Sequence, residues 1–161
     1  MPAHTKYSIK YSSAYTLVEI LVALTIIGLL FSFGFVSFRD FSRRQAIADA
    51  AKMIQGDLRL AQGDAMTGQK PNGCTTTLDS YSFNVQSLSR YTIEANCAVI
   101  PPPVKDVTLP SDITITAPYP LKFKVLGQGT NITGTEWVLT LTQVGTGDTK
   151  SVTVTLGGEI K

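Results

Sequence analysis

The chain has 161 residues, 14 basic and 12 acidic groups, two cysteines and one histidine. Apart from any membrane-spanning segment, that leaves room for one globular domain with a single core, and a composition 43% apolar and only 16% charged argues against a disordered chain. A near-neutral balance supplies little net field for steering polyanions, although a local patch could still bind them.

Residues 1–14, "MPAHTKYSIKYSSA", are short, polar and basic with no acid, and read as a cytoplasmic leader. Trimming them would remove Lys6 and Lys10, leaving basic and acidic groups equal in number, and would also remove His4. That excludes a His-dependent hydrolase.

The next stretch, "AYTLVEILVALTIIGLLFSFGFVSF" at 14–38, holds 19 residues from Ile20 to Phe38 without a formal charge. As a helix these span roughly 28 Å, the thickness of a bilayer's hydrocarbon core. A secretory signal peptide has an apolar region of only about 7–15 residues ending at a small-residue cleavage site. A plain single-pass anchor matches the length but gives no reason for Glu19, because a carboxylate in a spanning helix is costly and marks a partner.

Beyond Phe38 the pattern turns amphipathic. Ile47, Ala51, Ile54, Leu58, Ala61 and Ala65 alternate spacings of four and three, which predicts one apolar helical face suited to packing on a sheet. Arg43, Arg44, Asp49, Lys52, Asp57, Arg59 and Asp64 are expected largely on the other faces. With no proline between Tyr15 and Lys70, one helix of some 50 residues is expected to run to about Thr67. "GQKPNG" at 68–73 ends it.

From Cys74 onward the texture is β. Strands are predicted at 81–85, 90–100, 113–117, 121–126, 136–144 and 151–156, with "GTGDTK" at 145–150 as a hairpin loop and "PPPVK" at 101–105 as a stiff connector. Cys74 and Cys97 leave a single pairing and no structural zinc framework. In an oxidising compartment they would form a disulfide; in a reducing one they would be buried thiols. Gly127/Gly129 and Gly145/Gly147 lack the third glycine and following helix of a phosphate loop and read as turns. Asn131-Ile132-Thr133 is a formal glycosylation sequon, read here as an ordinary loop.

At "AYTLVEILVALTIIGLL" the sequence resembles the N-terminus of a type IV prepilin or pseudopilin: a basic leader, a small residue, an aromatic, then Thr-Leu-Val-Glu entering an apolar helix. The resemblance implies cleavage between Ala14 and Tyr15 by a prepilin peptidase, methylation of the new Tyr15 amine, and assembly with other pilin or pseudopilin subunits through an inner-membrane platform. It also gives Glu19 a partner, the Tyr15 ammonium of a neighbouring subunit in an apolar bundle. Leaders of the family usually end in glycine, whereas this one ends in Ala14. "MIQGDLRLAQGDAMTGQKP" at 53–71, "LKFKVLGQGT" and the terminal "VTVTLGGEIK" are similar to the minor pseudopilin H and FimT-like group.

The implied fold is α+β and pilin-like, a long helix on a small antiparallel β-sheet domain. The leader is 1–14, the transmembrane and assembly helix 15–38, its amphipathic continuation 39–70 and the β-rich head 71–161. No cofactor, metal or catalytic residue is expected. The implied location is the inner membrane, crossed once and in contact with its lipid, with the head outside the cytoplasm, and then the filament. Basic residues flank the span on both sides, Lys6 and Lys10 before it and Arg39, Arg43 and Arg44 after it. Orientation therefore rests on the motif, the cysteines and the large C-terminal body rather than on charge counting. Two rival readings are a DNA-binding minor pilin of natural transformation and a non-polymerising anchored binding module. Lys122, Lys124, Lys150 and Lys161 are a scattered set beside Glu159, so nucleic acid is the weaker partner reading.

Overall fold

In the computed structural model, residues 15–99 and 101–161 are described, with side chains described outside 32–37. The leader and Ala14 lie outside the described residues. The element order is α1 (Leu17–Thr67), β1 (Leu78–Ser87), β2 (Arg90–Cys97), β3 (Lys105–Thr108), β4 (Ile113–Thr116), β5 (Leu121–Lys124), a short 3-10 turn Val125–Gly127, β6 (Glu136–Gln143) and β7 (Thr149–Thr155). The chain divides into two units, Met1–Asp40 and Phe41–Lys161.

Helix α1 starts and stops where its sequence supplies caps. Thr16 is the N-cap: its hydroxyl accepts the amide of Glu19 at 3.2 Å and its carbonyl accepts that of Ile20. At the far end Gly68 adopts φ 63°, its amide bonds to the Ala65 carbonyl and that of Gln69 to the Asp64 carbonyl. That is a Schellman stop, and it needs a residue tolerant of the left-handed region.

In the head unit the predicted helical stripe is buried, from Ile47 through Ile54, Leu58 and Ala61 to Ala65. It shares one core with two antiparallel sheets, of order β3-β2-β1-β5 and β4-β6-β7. Register sets the core rows: Tyr81 lies between Ala95 and Phe123, and Phe83 between Ile93 and Leu121. In the second sheet Trp137 faces Val154 and Leu139 faces Val152. Phe83 joins the two sets of aromatics, stacked on Tyr91 at 4.8 Å and edge-on to Trp137 at 6.0 Å. The buried indole N–H donates to the Tyr119 carbonyl at 2.9 Å, so burying Trp137 leaves no orphan donor.

Several sequence-based boundaries are corrected. The expected single sheet is two. No strand is predicted between the stiff connector at 101–105 and residue 113, yet Lys105–Thr108 forms β3, an edge strand, "KDVT", whose charged residues carry no apolar alternation. The strand expected at 121–126 stops at Lys124 because Leu126 takes φ 54° inside the 3-10 turn. The strand expected at 151–156 begins at Thr149, shortening the hairpin loop.

Cys74 and Cys97 form a disulfide, with Cα atoms 5.9 Å apart, that ties the approach to β1 to the end of β2. A loop of 23 residues' separation is worth roughly 3 kcal/mol of loop-closure entropy. Replacing both cysteines by alanine should therefore lower the Tm by roughly 10 °C in a thermal melt. An unchanged Tm would show that the crosslink only decorates a loop the sheet already closes.

Candidate functional site

Among the described residues, the N-terminal unit consists of Tyr15, Thr16 and the first part of α1. Along Leu17–Phe31 the large apolar side chains are exposed by 48% to 81%, Val22 least and Leu17 most. They occur on every side of the helix rather than in a stripe, and such a helix is stable only when something apolar surrounds it. Among the described residues no helix is long and apolar enough to cross a membrane by itself. The expected span 15–38 includes residues 32–37, whose side chains lie outside the description.

Tyr15 precedes the cap and is 76% exposed. Glu19 is the third helical residue, so Thr16-Leu17-Val18-Glu19 has the spacing of a capping box as well as that of the predicted assembly motif. A carboxylate there also complements the positive end of the helix dipole. Position alone thus offers Glu19 a local role worth about 1 kcal/mol beside its predicted intermolecular one.

The head holds a polar group that sequence reading placed wrongly. Asp57, expected on an outward face, is 5% exposed. Its carboxylate accepts the Tyr91 hydroxyl at 2.6 Å and pairs with the Lys105 ammonium of β3. Burial first, and then the Asp57 carboxylate, hold the Tyr91 phenol far above the ordinary tyrosine range, so it stays protonated and donates. Asp57 sits three residues after Ile54 and four before Ala61, the same spacing that defined the buried stripe. That arithmetic was the available signal.

The lysines raised for nucleic acid do not form a stripe. Lys122 and Lys124 alternate with buried Leu121 and Phe123 on β5, Lys150 lies on β7, and Lys161 pairs with Glu159 at 3.1 Å. Asn131 of the sequon uses its amide within the fold: Nδ2 donates to the Pro120 carbonyl at 2.9 Å and Oδ1 accepts the Lys122 amide at 2.7 Å. The cleft lined by Gln62, Met66, Phe123 and Gly158 holds about 60 Å³. That cleft is well below the roughly 300–1,000 Å³ of small-molecule sites, whereas two open surface grooves, one beside Pro71 and Pro102 and one beside Arg44 and Lys150, hold about 400 and 390 Å³.

Comparison with known proteins agrees with this geometry. Residues 9–35 match the family described as the prokaryotic N-terminal methylation motif. That motif covers the N-terminal segment alone, and the rest of the chain is compared through its fold. Among solved structures it is similar to the minor pseudopilin EpsH from the type 2 secretion system of Vibrio cholerae. That match has 13% identity and a TM-score of 0.51, and covers 72% of this chain and 94% of that one. No curated protein matches the sequence.

Proposed function

We propose that this chain is a minor pilin or pseudopilin subunit of a type IV pilus or type II secretion pseudopilus. A prepilin peptidase cleaves it between Ala14 and Tyr15, and the new Tyr15 amine is methylated. Residues 15–38 hold it in the inner membrane until an assembly platform moves it into the filament beside other subunits. In the filament, Glu19 pairs with the Tyr15 ammonium of a neighbour. One observation carries the reading: a helix apolar on every side and exposed along Leu17–Phe31 follows a processing motif and bears one early acid. Burial among like helices satisfies both the apolar surface and the acid. The similar solved structure is a minor pseudopilin of a type 2 secretion system, which supports the pseudopilus branch.

The test is the N-terminus of the assembled protein. Mass spectrometry of subunits isolated from filaments should find a chain starting at methylated Tyr15. Assembled protein that keeps residues 1–14 would overturn the proposal. Ala14 adds a methyl group at the peptidase site where glycine is usual, so Ala14→Gly should be processed at least as completely as the parent.

A further inference from the structure

The head unit begins at Phe41, three residues beyond the end of the uncharged run at Phe38. Its first turn carries Arg43 and Arg44, and the loop between β6 and β7 lies against them. The Arg43 guanidinium rests over the bare backbone of Gly145, with Cζ 3.4 Å from where a Cβ would stand. Gly145 has no positive φ, so what it offers here is space for that side chain. Arg44 and Lys150 line one groove with Ile47, Ala48 and Thr149. Asp148 is the acid of this patch; it lies 3.7 Å from Arg44 and also accepts the Thr146 hydroxyl. Neither Arg43 nor Lys150 has a carboxylate partner among the described residues. Phe41, two residues before Arg43, is 66% exposed, and Val144, one before Gly145, is 63% exposed.

Three cations beside Asp148, with Asp112 engaged by the Val144 amide and the Gln143 side chain, lie next to an exposed aromatic and an exposed aliphatic residue, and this set has the chemistry of a membrane-interface contact. Guanidinium groups bind phosphate oxygens in two-pronged fashion, and apolar side chains beside them enter the headgroup region. We propose that Arg43, Arg44 and Lys150, with Phe41 and Val144, form a surface on which the head docks to anionic phospholipid headgroups before assembly. The inference rests on the reading that residues 15–38 lie in a bilayer, since that reading brings Phe41 within three residues of the lipid. It also gives Arg43 and Arg44 a use on the side of the span where charge counting alone would not place them.

The test uses the full chain in vesicles of phosphatidylcholine, with and without about one third phosphatidylglycerol, followed by hydrogen exchange at residues 144–150. In the anionic vesicles these amides should exchange on the order of a hundredfold more slowly at low salt, since each of the three basic residues near such a surface contributes about fivefold. The protection should disappear at high salt and in Arg43→Gln/Arg44→Gln/Lys150→Gln. The double variant Arg44→Gln/Lys150→Gln spares half-buried Arg43 and should lose most of the protection, while amides of β1 and β2 stay unchanged as the measure of an intact fold.

Equal exchange in both lipid compositions, with the chain resistant to alkaline extraction, would overturn the docking surface and leave the membrane reading standing. Release of the chain by alkali would overturn both. Protection that grows with protein density in pure phosphatidylcholine would assign the face to a neighbouring subunit and overturn the lipid assignment.

Discussion

Glu19→Ala should leave the chain inserted and cleaved while reducing its copurification with filaments by two to three orders of magnitude. The size follows from what remains after the substitution. A buried ion pair stripped of one partner leaves an uncompensated charge, here the Tyr15 ammonium of a neighbour, at a cost of about 3–5 kcal/mol. The rival explanation is local. Glu19 stands at the third helical position behind Thr16, and a capping-box acid contributes only about 1 kcal/mol. Glu19→Gln separates the two, because glutamine can still serve a capping box but carries no charge. If the intermolecular pair governs incorporation, glutamine should fail nearly as badly as alanine. Recovery of incorporation by Glu19→Gln would assign Glu19 to the helix cap and remove the ion pair from the mechanism. Thr16→Ala, which removes the cap and keeps the charge, should cost only about 1 kcal/mol of helix stability and leave most incorporation intact.

The parts of this molecule that were legible are those whose information is local. The N-terminal methylation motif matched at 9–35 is one contiguous segment, so it can be read without knowing the fold. The stripe from Ile47 to Ala65 and the stop at Gly68 obey helical period and left-handed geometry, both of which are sequence properties. Trp137 with Leu139 and Val152 with Val154 alternate because one face of their sheet is buried.

What stayed hidden depends on contacts made elsewhere in the chain. β3 is a strand only because β2 offers an edge, with Lys105 opposite Ile93 and Val107 opposite Tyr91, and its own four residues carry no pattern. The division into two sheets is decided by register between distant segments. β5 ends at Lys124 because Leu126 enters the left-handed region, a choice that nothing about leucine announces. Asp57 was misplaced for a different reason: a charged residue at core spacing was assigned by its type instead of by its position.

The pair of Asp57 with Lys105 also carries a stability effect in the head about as large as the disulfide's. The Asp57 and Lys105 side chains are unequally buried, at 8% and 39% exposure, so removing them should not be equivalent. Lys105→Met strands a carboxylate that cannot reach water and should cost about 3 kcal/mol in a denaturant titration. Asp57→Leu leaves an ammonium that can turn to solvent and an unsatisfied Tyr91 hydroxyl, and should cost less, about 1–2 kcal/mol. The triple variant Asp57→Leu/Lys105→Met/Tyr91→Phe removes every polar member together and should return to within about 1 kcal/mol of the parent. Tyr91 adds a pH signature. Its phenol is raised above the ordinary 10.0 in the folded chain, so the unfolded chain loses that proton first as the solution becomes alkaline. Stability from this group is therefore complete below about pH 10 and falls above it, by about 1.4 kcal/mol per pH unit relative to Tyr91→Phe. If the parent and Tyr91→Phe titrations stayed parallel to pH 11, the hydroxyl would not be held by Asp57 in solution. If Lys105→Met matched the parent, the pair would be a surface contact and the attachment of β3 to α1 would rest on apolar packing alone.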